Sequence, residues 1–212
     1  MPVRALVVED DPFTRISVVA ALQQYGYQVV VDESSPSQAV LRAKTARPDV
    51  AVLDLHLGAG ATGLDVAQAL RRMNPRIGIV LLTSFEDPRL LSSGLPAVPR
   101  GTIYLTKQSV TKMSQLKSAI SDSLVFDSQL ARIPLNPAFG TLTDVQVETL
   151  KLVAEGLSNS EIAIQRSVSQ KSIEQTIARV AKALGITPDS KSNQRVHIAR
   201  VYFRSIGAKT DA

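Results

Sequence analysis

No cysteine occurs among the 212 residues, so neither a disulfide framework nor a thiolate metal site can form. That absence is compatible with a reducing cytoplasm. No stretch of about 20 apolar residues occurs, which leaves no candidate for a membrane-spanning helix. The apolar run that follows Met1-Pro2-Val3-Arg4 meets Glu9-Asp10-Asp11 within a few residues and is too short for a signal peptide. The expectation is a soluble cytoplasmic protein with no membrane partner. The chain is longer than one typical domain and can bury one core or two.

Charge is unevenly placed. The net +5 divides into about +1 over residues 1–130 and about +4 over residues 131–212. A basic C-terminal part raises the expectation of a polyanionic partner, although a solvated surface would carry a similar excess.

The stretch from Val50 to Asp54 is almost continuously apolar and stops at a carboxylate, followed by Gly58-Ala59-Gly60. Such a run reads as a buried parallel strand whose C-terminal end opens into a loop. Similar runs occupy Val3 to Val8, Gln28 to Val31, Ile77 to Leu82 and Gly101 to Leu105. Helical patterns lie between them. Asp11 caps the first, with Pro12 at its first position and Ile16, Val19, Ala20 and Leu22 at helical spacing. Ser35-Pro36 opens a second, with Ala39, Val40 and Ala43 inward, and Leu64 to Met73 is a third. Ser109 caps a last one, with Val110, Met113, Leu116 and Ile120 as its buried stripe. Five strands alternating with helices over about 120 residues predict a doubly wound parallel α/β sheet. In the order 2-1-3-4-5 the switch point lies between the first and third strands.

That order sets Glu9-Asp10 beside Asp54. Three converging carboxylates repel one another and suit a hard divalent cation such as Mg²⁺, which takes one or two carboxylates together with waters and phosphate oxygens. The fourth strand ends at Thr83 and the fifth reaches Lys107, so a hydroxyl and an ammonium join the acids. The set suits the acceptance and holding of a phosphoryl group. Taken singly, these residues have plainer explanations as a loop or helix cap, a turn hydroxyl and a surface charge. Four of them at the strand ends of one edge are harder to explain that way.

Leu6-Val7-Val8-Glu9-Asp10-Asp11, Val52-Leu53-Asp54-Leu55, Leu82-Thr83-Ser84 and Tyr104-Leu105-Thr106-Lys107 resemble the motifs of bacterial response-regulator receiver domains, in order, over residues 3–121. The resemblance implies Asp54 as phosphoacceptor. Mg²⁺ would be bound by Glu9, Asp10, Asp54 and the backbone carbonyl of His56. Thr83 would contact the phosphoryl oxygens, Lys107 would form the ion pair, and Tyr104 would be the aromatic that turns inward on activation. Where that family has a fourth helix rich in Ala and Leu, this chain reads Asp87 to Arg100, and Pro96 and Pro99 exclude a regular helix beyond about Gly94.

Residues 122–140 hold Pro134, Asn136, Pro137 and Gly140 without a sustained period and read as a linker. Beyond it, Thr143 with Gln146 and Ser158 with Glu161 form capping boxes that open two helices. Ser169 caps a third helix to about Leu184, closed by Gly185. Its apolar stripe is Ile173, Ile177, Val180 and Leu184, and the opposite face carries Lys171, Ser172, Gln175, Ala178, Arg179 and Lys182. A fourth helix runs from Asn193 to about Ser205. The pattern predicts a four-helix helix-turn-helix unit with a polar face free for a major groove, or else a bundle whose solvated side is basic.

Leu142-Thr143, Glu148, Leu150, Ala154 to Ala163 and Leu184-Gly185-Ile186 resemble the LuxR/NarL-type DNA-binding domain over about residues 141–206, leaving 207–212 as a tail. By that resemblance Ser169 to Leu184 is the recognition helix, and Ser169, Lys171, Ser172, Glu174, Gln175, Ala178, Arg179 and Lys182 meet bases or phosphates. Thr176, Glu174 and Ala178 depart from the family's common residues. The acid at Glu174 implies moderate affinity per monomer and reliance on a homodimer. The whole chain is thus identified as similar to NarL/FixJ-type response regulators: a sensor histidine kinase would phosphorylate Asp54 to control sequence-specific binding to double-stranded DNA, with RNA polymerase as a further partner. It would be no enzyme beyond its own phosphorylation and dephosphorylation. A haloacid-dehalogenase-type phosphatase needs a second Asp where His56 stands. The remaining alternative is a phosphorylation-independent DNA-binding transcription factor.

Overall fold

Apolar runs and amphipathic stretches follow one another as β1 (Arg4–Val8), α1 (Pro12–Gln24), β2 (Gln28–Glu33), α2 (Pro36–Ala46), β3 (Val50–Leu53), α3 (Gly63–Met73), β4 (Gly78–Thr83), β5 (Thr102–Thr106) and α4 (Met113–Leu124). The computed structural model describes residues 1–92, 94–125, 137–187 and 193–208. The strands form one sheet in the order β2-β1-β3-β4-β5, with every neighbouring pair parallel. This is the expected doubly wound α/β sheet. Every residue of β3 and β4 is buried, as central strands covered on both faces require. Alternation sends Ala5, Val7, Val50, Val52, Val80 and Leu82 to one face, against Val18 and Leu22 of α1 and Leu116, Ala119 and Ile120 of α4. Leu6, Ala51 and Leu53 alternate with them, and α2 and α3, which contact β1 to β3, bury Ala39, Ala43, Leu64, Ala67 and Leu70.

Local chemistry explains the helix starts, and corrects some expectations. Asp11 caps α1 by accepting from the Thr14 N–H, with Pro12 in the first turn. The helix buries Val18, Ala21 and Leu22, so Ile16 lies on the solvent side at 66% exposure. Ile16 shares the helical spacing of Val19, Ala20 and Leu22 but not a buried face. β2 continues to Glu33, beyond Val31, and β5 spans Thr102–Thr106 because Gly101 spends its φ of +70° on the preceding turn. α4 does not start at Ser109, whose hydroxyl donates to the Thr106 carbonyl within a tight turn. It starts at Met113, where the Gln115 side chain accepts from the N–H groups of Thr111 and Lys112. Met113 is consequently exposed, and the inward stripe is Leu116, Ala119 and Ile120.

The chain leaves this first unit after Thr83 and rejoins it at Leu95. Residues 84–92 belong instead to a second unit with α5 (Pro137–Gly140), α6 (Asp144–Ala154), α7 (Asn159–Gln165), α8 (Gln170–Ala183) and α9 (Gln194–Ser205). Of the expected linker 122–140, residues 126–136 lie outside the described residues, and Pro137–Gly140 is a short helix rather than irregular chain. The second core joins Phe139, Leu142, Val147, Leu150, Ile162, Ile173, Ile177, Val180 and Ile198 with Leu90. Leu90 closes a single 3₁₀ turn, Pro88–Leu90, the only helical structure among the described residues of 84–100.

Both expected capping boxes form. Thr143 and Gln146 open α6, and Ser158 and Glu161 open α7. The Ser158 hydroxyl accepts from the Glu161 N–H at 3.3 Å, and the Glu161 carboxylate accepts from the Ser158 N–H at 2.7 Å. Ser158→Ala removes one orphan donor's partner and should lower the stability of the second unit by about 1 kcal/mol, read as a lower urea midpoint at unchanged slope. An unchanged midpoint would show that the cap contributes nothing.

Candidate functional site

The register of the central strands builds the site. Val8 pairs with Leu53, so the next residues, Glu9 and Asp54, emerge from adjacent strand ends, and the Asp54 N–H donates to the Val8 carbonyl at 2.9 Å. Glu9 is 3% and Asp54 7% exposed, while Asp10 is open to solvent. One carboxylate oxygen from each of the three lies within 4.8 Å of the others. On the far side of β3, the Lys107 N–H donates to the Thr83 carbonyl at 2.7 Å, which fixes the chain just past the end of β5. The Lys107 ammonium then reaches back, 2.8 Å from Asp54 Oδ2 and 2.8 Å from Glu9 Oε2. The His56 N–H lies 3.4 Å from Asp54 Oδ1 on the loop after β3. Thr83 is fully buried at the end of β4, and Tyr104 is buried opposite Leu81.

Burial pushes the Glu9 carboxyl up to about 7; the hydrogen bond from Lys107 opposes this, and the neighbouring Asp54 charge reinforces it. For Lys107, burial works against the charge, but the charges and hydrogen bonds of Asp54 and Glu9 outweigh it and hold the ammonium above its ordinary value. One cation therefore serves two buried carboxylates, with a third acid at the rim. An all-oxygen donor set of this charge fits a divalent cation of the Mg²⁺ type.

Sequence reasoning missed Gly63, which opens α3 and donates its N–H to the Leu55 carbonyl at 3.0 Å. A Cβ there would fall 1.9 Å from the Asp54 carbonyl oxygen, so only glycine lets α3 start against the strand that carries Asp54. Its place just after the Gly58-Ala59-Gly60 loop was the available signal.

In the second unit, α8 buries Ile173, Ile177, Val180 and Ala181. Ser169, Lys171, Ser172, Glu174, Gln175, Ala178, Arg179 and Lys182 are all exposed. Ser169 caps the helix by accepting from the Ser172 N–H, and the Glu174 carboxylate accepts from the Gln170 side chain at 3.1 Å. The turn between α7 and α8 holds Ser167 at φ +53°.

A doubly wound parallel sheet with an acid trio and a lysine at its C-terminal edge, continued by a small helical unit, is a receiver-type architecture. The sequence profile of the response regulator receiver domain matches residues 5–121, more than half the chain, and the chain belongs to that family. It is 25% identical over 190 residues to a nitrate/nitrite response regulator protein homolog of Haemophilus influenzae, covering 86% of this chain and 90% of that one. It is 24% identical over 193 residues to the response regulator protein VraR of Staphylococcus saprophyticus, covering 88% and 92%. Among solved structures, a two-component response regulator RcsB–DNA complex is similar in fold at a TM-score of 0.59 and 20% identity, over 97% of this chain and all of that one. The RcsB response regulator of Salmonella typhimurium gives a TM-score of 0.54 at 18% identity, over 97% and 98%. Among the described residues no helix is long and apolar enough to cross a membrane.

Proposed function

We propose that the chain is a cytoplasmic two-component response regulator in which phosphorylation of Asp54 by a sensor histidine kinase controls sequence-specific DNA binding and transcription. The observation that carries this reading is the Lys107 ammonium at 2.8 Å from Asp54 Oδ2, with Glu9 and Asp10 converging on the same edge. The functional division is a receiver over residues 1–121, a linker over 122–140, a LuxR-type helix-turn-helix domain over 141–206 and a tail.

An Asp54 carboxylate oxygen attacks the phosphorus of the kinase's phosphohistidine; the P–N bond breaks, and its electron pair leaves with the imidazole. Glu9, Asp10, Asp54 and the His56 carbonyl would hold Mg²⁺, which when bound neutralises charge on the transferring oxygens. Lys107 holds Asp54 in place before transfer and pairs with the new dianion afterwards. The Thr83 hydroxyl donates to a phosphoryl oxygen, and Tyr104 is the aromatic that follows it. No substrate beyond this self-modification is implied.

On the DNA side, α8 is the second helix of the helix-turn-helix and lies in the major groove. Lys171, Arg179 and Lys182 contact phosphates or guanine, and Gln175 reads adenine edges, with Ser169, Ser172, Glu174 and Ala178 on the same face. That a response regulator of similar fold, RcsB, was solved in complex with DNA supports a DNA-binding reading of the chain. Two copies bind half-sites about one helical turn apart, where RNA polymerase is the further partner.

The test pairs acetyl-phosphate labelling with salt-dependent footprinting on genomic fragments. Wild-type protein should be labelled in the presence of Mg²⁺ and protect its sites more strongly, and Asp54→Asn should do neither. Undiminished labelling of Asp54→Asn overturns the assignment. Equal protection by labelled and unlabelled protein would favour a transcription factor that does not depend on phosphorylation.

A further inference from the structure

Pro48 precedes β3 and Ile77 precedes β4, so in this parallel sheet both lie at the amino ends of the strands, the edge opposite Asp54. There α2 and α3, packed against each other, both end, and the chain leaves a cavity of about 440 Å³ between their last turns. That volume is in the range of small-molecule sites. Ligands of open α/β sheets usually lie outside the carboxyl ends of the strands. The fold alone therefore does not supply a site at this edge, and the side chains have to.

The floor is apolar and buried, with Ala43 at 5% exposure and Leu70 and Ile77 at 1% each. The polar side chains of the lining are Lys44, Arg47 and Asn74, all on exposed residues. Each has donors to offer. The Asn74 side-chain oxygen already accepts from the Arg76 N–H at 3.1 Å, which leaves its amide N–H groups, and the two cations carry nothing but donors. Among the described residues neither the Lys44 nor the Arg47 side chain has a hydrogen-bond or ion-pair partner. Asp49 aside, no acid occurs among residues 34–53 or 66–85, and the Asp49 carboxylate accepts from the Arg4 N–H at 2.8 Å.

A cation in the last turn of a helix has a plain explanation, since it complements the negative end of the macrodipole. That covers Lys44 but not Arg47. The Ala46 carbonyl at the end of α2 already accepts from the Arg4 guanidinium at 2.6 Å, and the Ala43 carbonyl accepts from the Arg47 N–H at 2.9 Å. Arg47 also sits at φ +43°, in left-handed backbone that disfavours any Cβ, and directly before Pro48, which restricts it further. Helices that close in this way usually do so on glycine. Here the strained position carries instead a side chain that brings a planar fork of donors to the rim of the cavity.

We infer that this cavity is a binding site for a small organic anion, with an apolar ring body seated on Ala43, Leu70 and Ile77 and a carboxylate or phosphate monoester head held by Lys44 and Arg47. A neutral ligand would give those cations no partner, and a bare anion would leave the apolar floor in water. Both head groups share the chemistry, an oxyanion that accepts from a guanidinium fork. The site is separate from the acid edge and stands whether or not Asp54 accepts a phosphoryl group.

Amide proton–nitrogen spectra of the full chain, titrated in chelator with naphthoate, naphthyl phosphate, naphthylmethanol and inorganic phosphate, test the site. At least one of the two naphthyl anions should shift the amides around Arg47 and Asn74 saturably, with a Kd of about 1 mM or tighter, and the tighter of them names the head group. Naphthylmethanol and inorganic phosphate should each bind about tenfold more weakly or worse. Arg47→Gly suits the left-handed backbone, so it should fold, and its affinity for the anion should fall about tenfold or more. Arg72→Gln, exposed in the last turn of α3 but outside the lining, should stay within about twofold of wild type. No saturable shift in the wild type overturns the site without the need for any variant. Naphthylmethanol binding as tightly as the anions, or inorganic phosphate matching naphthyl phosphate, overturns the paired recognition of body and head. An Arg47→Gly protein with wild-type affinity, or an equal loss in Arg72→Gln, reduces the site to a diffuse basic surface and overturns it too.

Discussion

Lys107→Ala is expected to destabilise the first unit by about 3 kcal/mol in chelator, and Mg²⁺ is expected to restore most of the loss. The side chains of Glu9 and Asp54 are 4% and 8% exposed, and Lys107 is the cation paired with both. Removing it leaves two buried carboxylates facing each other, with the exposed Asp10 beside them. A broken buried pair costs more than the pair itself contributes, because the remaining charge stays desolvated. Lys107 is itself 23% exposed, so water enters on its loss and keeps the penalty below that of a sealed site. A divalent cation supplies the missing positive charge to the same oxygens. Urea unfolding of both proteins, in chelator and in millimolar MgCl₂, reads the effect. A variant whose loss is the same with and without Mg²⁺ would mean that cation and ammonium do not share these acids.

Gly63→Ala should be comparably severe, for a steric reason. The added Cβ would sit 1.9 Å from the Asp54 carbonyl oxygen, 2.8 Å from its carbonyl carbon and 3.2 Å from the Leu55 Cα. All three are backbone atoms of the segment that carries Asp54, and none can swing aside as a side-chain tip does. Either α3 retreats and loses its buried face of Leu64, Ala67 and Leu70, or the Asp54 peptide moves and draws the carboxylate away from Lys107. Overpacking of this kind costs about 3 kcal/mol, and acetyl-phosphate labelling should fall with the stability. Gly140→Ala, where no atom lies within 4 Å of the new Cβ, is the matched control and should stay close to wild type. Wild-type stability and labelling in Gly63→Ala would refute the steric argument.

The sheet and its order were legible because each central strand is one short apolar run closed by a polar residue, and because alternating runs and helices leave few parallel topologies. The meeting of Glu9, Asp54 and Lys107 followed from that order, since a 2-1-3-4-5 sheet brings those strand ends to one edge. Helix facing was less legible. Ile16 and Val18 are both apolar, and only the docked sheet decides which turns inward. Ser109 offered a hydroxyl start for α4, but the Gln115 side chain settled the start at Met113. α5 is four residues long, too short to carry a period. The packing of residues 84–92 was invisible for a different cause: Leu90 belongs to a core whose other members begin nearly fifty residues later, and no local pattern encodes that distance.

That distance also sets an order of events during synthesis. Residues 84–92 leave the ribosome before Phe139, Leu142 or Ser205 exists, and at usual elongation rates Leu90 waits several seconds for its surroundings. β5 follows within about ten residues and can close the sheet meanwhile. The nascent protein therefore carries a loop with Phe85 and Leu90 still uncovered on an otherwise finished receiver, and the second unit matures only by gathering in a segment of chain made long before it.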